Sequence, residues 1–172
     1  MCESHSNKVA NMGRFSNLDA IDFDILGALQ EDARITNKEL AARVGLSPSA
    51  CLRRVQSLER CGALLGARAL VAPEAMGVGL QAMVSVRLAV HSREAFGAFR
   101  AHVECIPEVI GVYSLSGADD FLLHVAVRDA AHLQEVTLGG LAARTEVRHL
   151  ETALIFEHST SAGLPLLAQA GS

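Results

Sequence analysis

Adjacent arginines at positions 53 and 54 carry the most specific chemistry that the sequence offers. A guanidinium pairs with phosphate oxygens or with the edge of a guanine, so two of them on one helix suit a nucleic-acid partner. Ser47 and Pro48 are typical of a helix start, and Gly62 is typical of a helix end. The predicted inward face of this helix holds Leu52, Val55 and Leu58. The predicted outward face holds Ser49, Ala50, Arg53, Arg54 and Gln56.

A second predicted helix precedes the arginine helix and forms a helix-turn-helix pair with it. Thr36 and Glu39 have the spacing of a capping box, and Gly45 can take the left-handed conformation that ends a helix. In such a pair the second helix enters the major groove of DNA. We therefore predict that DNA is contacted by Lys38, Ser47, Ser49, Ala50, Arg53, Arg54 and Gln56.

A further helix is predicted over residues 18–31, with Ser16 or Asn17 as its cap. Three helices that end at Gly62 make a small head of the helix-turn-helix, winged-helix-like type. Two amphipathic helices joined by a glycine turn also occur in proteins that bind no DNA, so the charge distribution bears on the choice.

The charge distribution favours DNA as the partner. The chain carries a net charge of −4 at pH 7, which argues against a general polyanion binder. Residues 33–70, however, hold seven Lys or Arg against two Glu, a net charge of +5. Residues 80–172 hold six Arg against ten Asp or Glu, a net charge of −4. A basic face on an acidic chain indicates docking to double-stranded DNA.

The composition argues against several other classes of protein. Half of the 172 residues are apolar, which suffices for a sizeable core. The four Cys and seven His form no zinc-like array, and no nucleophile–base pair is visible, so we expect no metal, no cofactor and no enzymatic activity. The chain shows no signal peptide and no run of about 18 apolar residues, so we expect a cytoplasmic protein without a membrane span.

The second half of the chain alternates strands and helices in the order β-α-β-β-α-β, the ferredoxin-like arrangement, which makes the fold class α+β. The predicted strands are apolar on both faces over residues 121–127 and 153–156, which indicates that a second copy covers the open face of the sheet. We expect a charge introduced there, at Val125 or Ala126, to break this dimer. Strands are predicted at residues 81–91, 109–116, 121–127 and 147–156.

The combination of this head with this body resembles the Lrp/AsnC family, the leucine-responsive, or feast/famine, transcription regulators. The resemblance covers roughly residues 18–158. Its most specific segments are the helical head and the later stretch SGADDFLLHVAVRD, which is similar to the family's ligand-loop motif. The resemblance implies a nucleoid-associated homodimer that assembles further into a tetramer or octamer. It also implies an amino-acid effector, or a related small metabolite, bound in the body between neighbouring dimers.

The resemblance carries a set of effector-binding residues onto this chain. The glycine-containing loop would meet the backbone groups of the effector, because main-chain N–H groups can hold a carboxylate and an Asp can pair with an ammonium. The strand before the loop and the start of the last strand would line the rest of the site. The implied residues are Ser114, Ser116, Gly117, Ala118, Asp119, Asp120, Thr152 and Leu154.

One stretch departs from the family pattern. In the family, the second body helix usually ends in a Pro-Gly turn. Here this helix, predicted from Ala130 to about Ala143, contains Gly139 and Gly140 and is followed by no such proline. Two helical glycines cost about 1 kcal/mol each, so we expect this helix to be broken or shortened beside the effector cleft. Two alternative functions stay open: a nucleoid-architecture protein that wraps DNA without an effector, and a metabolite-binding or enzymatic ferredoxin-like module.

The predicted organisation has five parts. A disordered N-terminus is followed by the helix-turn-helix domain, a strand linker that acts as a hinge, the domain for ligand sensing and oligomerisation, and a tail. Their predicted bounds are residues 1–16, 17–63, 64–79, 80–158 and 159–172.

Overall fold

The computed structural model describes residues 15, 17–159 and 163–167. The predicted disorder of residues 1–16 and the end of the predicted tail therefore lie almost wholly outside the described residues. The chain divides into two compact units between Ala69 and Leu70. We call residues 17–69 with 163–167 the head and residues 70–158 the body. Among the described residues, no helix has both the length and the apolar character needed to cross a membrane.

Three helices form the head, and local capping signals set their ends. Thr36 and Glu39 form the predicted capping box of the second helix, and the Ser47 hydroxyl accepts a hydrogen bond from the backbone of Ala50 at the start of the third. Gly62 ends the third helix with a φ of 76°, a left-handed conformation that costs a glycine little. The helices are α1 (Ala20–Glu31), α2 (Asn37–Arg43) and α3 (Pro48–Cys61).

The start of α1 differs from the prediction, which named Ser16 or Asn17 as the cap. The observed cap is Asp19, whose carboxylate accepts from the backbone N–H of Asp22, while the carboxylate of Asp22 accepts from the N–H of Asp19. A carboxylate at each end of this box satisfies two helix N–H groups that would otherwise lack acceptors. The box therefore sets the helix start two residues later than the apolar pattern indicated.

The buried stripe of α3 also differs from the prediction. Leu52 was expected to face inward, yet it is 47% exposed, whereas Cys51 is fully buried. Cys51, Val55 and Leu58 recur at the i, i+4, i+7 spacing that faces the core, and Leu52 lies beside that stripe. The fully buried core of the head consists of Ile25, Ala28, Leu40, Ala41, Cys51 and Leu58.

The segment after α3 carries no strand. Residues 64–79 were predicted as a strand linker, but residues 64–71 within it have no regular structure and no pairing partner among the described residues. A strand needs a neighbour to accept its backbone hydrogen bonds, so an apolar sequence alone does not create one. A 3-10 turn over Pro73–Met76 follows, and Gly77 ends that turn.

The body has the predicted β-α-β-β-α-β order. Its sheet is antiparallel in the order β2-β3-β1-β4, so the first and third strands lie in the centre. The core lies between this sheet and the two helices, and it is built on the alternating buried residues of the central strands. The elements are β1 (Leu80–Leu88), α4 (Arg93–Val103), β2 (Val109–Ser114), β3 (Phe121–Val127), α5 (Ala130–Gln134) and β4 (Val147–Leu154).

The outward face of the sheet is less apolar than predicted. Met83, Leu122 and Ala126 lie on it, but Gln81 and His124 lie between them, with Nε2 of His124 2.8 Å from Oε1 of Gln81. The expectation for Val125 was wrong because this residue is fully buried on the helix-facing side. A charge at Val125 would therefore disrupt the core, whereas a charge at Ala126 would test the outward face.

The helix that contains the two glycines is neither broken nor shortened. It continues from α5 as a π-helix over Glu135–Ala142, in which hydrogen bonds span five residues instead of four. Val136 and Leu141 are five residues apart, and both are buried against the core. The carbonyl oxygen of Gly140 lies 2.8 Å from Nε2 of His102 on α4, which ties the π-helix to the neighbouring helix.

Candidate nucleic-acid interface and effector loop

The start of α3 is fixed against α2 by a contact that the sequence did not reveal. The side-chain amide of Asn37, at the start of α2, donates to the carbonyl oxygen of Pro48 over 2.9 Å. This bond and the Ser47 cap together set the angle at which the first turn of α3 leaves the head. A helix used to read DNA needs such a fixed N-terminal turn, because its first residues meet the base edges.

The two arginines that the sequence grouped together have different roles in the structure. Arg53 is exposed and has no hydrogen bond or ion pair with the described residues. Arg54 turns back towards α1, where its Nη1 lies 2.8 Å from Oδ2 of Asp19 and 2.8 Å from Oδ1 of Asp22. Arg54 was predicted to contact DNA, but its guanidinium already joins α3 to the cap of α1. A contact between Arg54 and DNA would therefore compete with these two ion pairs.

The electrostatics of this contact favour the charged forms. Hydrogen bonds from Arg54 to Asp22 and Asp19 raise the pKa of the guanidinium above its usual range. The pKa of Asp19 is lowered, first by the hydrogen bond from the backbone of Asp22 and then by Arg54. Hydrogen bonds to a charged form stabilise that form, so the contact persists across neutral pH.

The other predicted DNA contacts are distributed around the start of α3. Ser47 and Ala50 are partly committed to the helix cap through the Ser47 hydroxyl, which also lies 3.2 Å from the hydroxyl of Ser49. Lys38 lies at the start of α2 and is exposed. The side chains that remain open to solvent on this face are Lys38, Ser49, Arg53 and Gln56.

In the body, Asp120 is a structural residue. It is 7% exposed, and its Oδ2 accepts from the backbone N–H of Leu88 over 2.7 Å. Its Oδ1 lies 3.1 Å from Nε2 of His91. Because both oxygens are engaged within the chain, Asp120 is poorly placed to receive the ammonium of a ligand. It instead fixes the loop to the end of β1.

The preceding residue, Asp119, is more open. It is half-buried, and its Oδ1 lies 3.1 Å from Nη2 of Arg87 on β1. Ser116, Gly117 and Ala118 are exposed. A side chain at Gly117 would meet nothing within 4 Å, and its backbone has no positive φ. The fold of this chain therefore does not require glycine at position 117.

Of the remaining predicted effector residues, Ser114 adjoins this loop, whereas Thr152 and Leu154 lie on a different strand. Ser114 ends β2 and is adjacent to the loop, but Thr152 and Leu154 lie near the end of β4 rather than its start. Leu154 pairs with Ala82, whereas the loop leads into Phe121, which pairs with Val86. Four residue pairs separate Leu154 from the level of Phe121, about 13 Å along the strands. Thr152 pairs with Val84 and lies two residue pairs from that level, about 7 Å along the strands, with β1 between its strand and β3. A site that used the loop and Leu154 would need more than one copy of the chain.

Sequence reasoning missed four polar residues that shape the two sites. Asp19 and Asn37 position α3, while Arg87 and His91 contact the two aspartates of the loop. A signal existed for Asp19 alone, since Asp at both ends of a four-residue span is typical of a capping box. Among the described residues, no group of three or more His, Cys, Asp or Glu is arranged to hold a metal ion.

Both units match known protein families. Residues 18–64 match the family described as winged helix-turn-helix DNA-binding, and residues 81–162 match the Lrp/AsnC ligand binding domain. The HTH-type transcriptional regulator AldR of Mycolicibacterium smegmatis is 46% identical over 145 residues, which span 84% of this chain and 85% of that protein. The chain belongs to the Lrp/AsnC family of transcription regulators.

Further relatives agree with this membership. The leucine-responsive regulatory protein of Rhizobium meliloti is 42% identical over 137 residues, which span 80% of this chain and 88% of that protein. Among solved structures, a transcriptional regulator from Neisseria meningitidis in complex with L-Met is 37% identical, with a TM-score of 0.77. That likeness covers 87% of this chain and 97% of the Neisseria chain. The Lrp/AsnC fold, with a helix-turn-helix head and a four-stranded antiparallel body, is thus shown for this chain.

Proposed function

We propose that this Lrp/AsnC protein binds specific DNA sequences and that an amino acid controls its DNA binding or its assembly. The observation that carries the proposal is the open outward face of α3. Ser49, Arg53 and Gln56 are exposed there, on a helix whose first turn is fixed by Ser47 and Asn37. Arg53 is the residue of this face best suited to a guanine edge or a phosphate, because its guanidinium is free of the described residues.

The basic charge of the head supports DNA as the partner and the nucleoid as the place of action. Residues 33–70 carry a net charge of +5, which would attract the phosphate backbone. Phosphate contacts hold a protein on DNA of any sequence, while contacts with base edges select the site. We assign phosphate contact to Lys38 and base reading to the exposed residues of α3.

The effector is proposed on the likeness to the Neisseria regulator, which was solved with L-Met. The exposed loop over residues 116–118 offers main-chain N–H groups to a ligand. Leu154 would complete the site from another copy, because within one chain it lies about 13 Å along the strands from the loop, and we propose that Thr152 comes from the same copy as Leu154. We also propose a dimer through the outward sheet face, on which Met83, Leu122 and Ala126 lie, assembled further into a tetramer or octamer.

The DNA proposal can be tested on the full chain with sites selected from a random DNA library. The parent should protect a defined sequence in footprinting at a fixed salt concentration. Arg53→Ala should weaken binding to that sequence by about 1–3 kcal/mol if Arg53 reads a base. Arg148→Ala in the body is the matched control and should bind as the parent does.

Two results would contradict the DNA proposal in different ways. If selected and scrambled DNA bind equally, the protein is an architectural DNA-wrapping protein. If Arg53→Ala binds the selected site as tightly as the parent, α3 does not read it through Arg53.

The effector is tested separately by thermal shift against the twenty amino acids, because a bound ligand stabilises the folded state as its concentration exceeds Kd. A flat response at millimolar concentrations would contradict the effector proposal alone.

A further inference from the structure

The chain returns to the head after it has completed the body. Residues 163–167, with the sequence GLPLL, belong to the same compact unit as the three helices of the head. We call these residues the strap. Residues 155–163 join the last residue of β4 to Leu164, so the head has a second covalent connection to the body besides the one after Ala69.

The strap contacts the end of α1 through Gln30. The backbone N–H of Leu164 donates to Oε1 of Gln30 over 2.7 Å. A Cβ atom at position 163 would lie 3.1 Å from that same oxygen and 3.3 Å from Cβ of Gln30, which is tighter than most Cβ contacts in proteins. Gly163 therefore lets the strap approach α1 closely enough for the hydrogen bond of Leu164 to form.

The sequence of the strap favours an extended segment even before it docks. Pro165 has a fixed φ, and it restricts Leu164 to extended conformations. A segment that is already restricted loses less conformational entropy when it binds to the head. The strap can therefore dock through a small contact area.

The contact between the strap and the head is small and leaves the DNA-reading face open. A cleft of about 700 Å³ remains between the strap and the residues of α1 and α2 that line it. Leu164 and Leu167 are 81% and 84% exposed, so the strap buries little apolar surface and can leave the head at a small cost in free energy. Arg53 and Gln56 on α3 are exposed while the strap is docked.

We propose that the strap is a releasable tether that limits how far the head can move from the end of β4, an inference that rests on the DNA binding proposed above. Leu164 follows Leu154 by ten residues, and an extended chain spans at most about 35 Å over that length. The strap can therefore stay on Gln30 only while the head lies within that reach. A DNA site that demands a longer reach must first release the strap.

This limit predicts a preference among DNA sites. The two heads of a dimer bind two half-sites, and one additional helical turn of about 10 base pairs moves these about 34 Å farther apart on the same face of the duplex. Binding at the longer spacing then requires the release of a strap. Loss of a hydrogen bond and a small apolar contact corresponds to about a five- to tenfold increase in Kd.

Hydrogen exchange of the full chain, measured by mass spectrometry, tests whether the strap docks. Gly163→Val places a branched side chain against Gln30, and Gln30→Ala removes the acceptor, so both should speed exchange in peptides that contain Leu164. Ser159→Val adds the same side chain at an exposed position before the strap, and this matched control should exchange as the parent does. Unchanged exchange in both variants would mean that the strap is not docked, and the tether would be wrong.

DNA binding by the same proteins tests whether the docked strap limits the head. Each protein is titrated with pairs of the selected half-site at the selected spacing and at a spacing one helical turn longer. The ratio of the two Kd values should be about five- to tenfold smaller in Gly163→Val and Gln30→Ala than in the parent. Ser159→Val should keep the ratio of the parent.

The outcomes separate the tether from the proposed function. If exchange is faster in the two variants but the Kd ratio is unchanged, the strap is a structural contact only, and the tether is wrong while the DNA proposal stands. If either variant changes the mass in light scattering, the strap belongs to a subunit contact, and the tether within one chain is again wrong. If no pair of half-sites binds better than scrambled DNA, sequence-specific binding and the tether fail together.

Discussion

The head and the body each contain a doublet of like charge, and each doublet is divided in the same way. In the head, Arg54 bonds to the cap of α1 while Arg53 stays exposed. In the body, Asp120 bonds to the end of β1 while Asp119 keeps an oxygen open. One member of each doublet builds the fold, and its neighbour is available to a partner. Adjacent residues on a helix or at a strand end point in different directions, so neighbours in sequence need not share a role.

Among the substitutions that test this comparison, Asp120→Ala should have the largest effect on stability. Asp120→Ala leaves the buried N–H of Leu88 without an acceptor, which should lower the free energy of unfolding of the body by about 1–3 kcal/mol. Asp119→Ala should change it by less than about 0.5 kcal/mol, because Asp119 is partly exposed. Urea unfolding followed by tyrosine fluorescence measures the body selectively, since Tyr113 on β2 is the chain's one tyrosine. Equal losses of unfolding free energy in the two variants would contradict the view that Asp120 is structural and Asp119 is not.

A smaller effect is expected from the arginines. Arg54→Ala should destabilise the head by about 1 kcal/mol, the scale of a partly exposed ion pair, and Arg53→Ala should leave its stability unchanged. Hydrogen exchange of the α1 amides, measured by mass spectrometry, compares the two variants directly. If Arg53→Ala exposes α1 to exchange as much as Arg54→Ala does, the two arginines share the structural role.

This arginine contact also has a pH dependence of known sign. The pKa of Asp19 is lowered in the folded head, so its contribution to stability is present above the ordinary value of 3.8 and is lost as the pH falls through the lowered value. The difference between the parent and Arg54→Ala should therefore shrink in acid below pH 3.8.

The smallest expected effect concerns a group that the body keeps neutral. Burial lowers the pKa of His124 below its ordinary value of 6.5, and the nearby His158 lowers it further. The unfolded chain therefore binds the proton more readily, and the body should lose stability as the pH falls from 6.5 towards the lowered value. His124→Gln should flatten this dependence in unfolding curves recorded by tyrosine fluorescence. An equally steep dependence in that variant would assign the effect to another histidine.

The parts of the fold that the sequence predicted are those set by local signals. The capping box at Thr36, the Ser47 cap and the glycine at position 62 act within one helical turn, so their residue types suffice to predict them. The bounds of β3 were predicted to the residue, because its alternation is bordered by a turn and a helix cap. The resemblance to the Lrp/AsnC family rested on this combination of head and body together with the helical head sequence and the stretch SGADDFLLHVAVRD, and the family matches show the membership.

The sequence could not predict which member of each charged doublet is structural, because that depends on partners far away along the chain. Asp22 is 32 residues from Arg54, and Leu88 is 32 residues from Asp120. Only the packing of α1 beside α3, and of β1 beside β3, brings these groups together. The absence of a strand at residues 64–71 has the same origin, since a strand exists only where a neighbouring strand pairs with it.

The π-helix over Glu135–Ala142 gives the body a tolerance to changes in chain length. Val136 and Leu141 both face the core because hydrogen bonds here span five residues. Removal of Gly139 would leave these two residues four apart, the spacing that an ordinary α-helix places on one face. The same stripe would then face the sheet, and the strands on either side would keep their register. Gly139 thus lies in a stretch where the helix is wider and not broken.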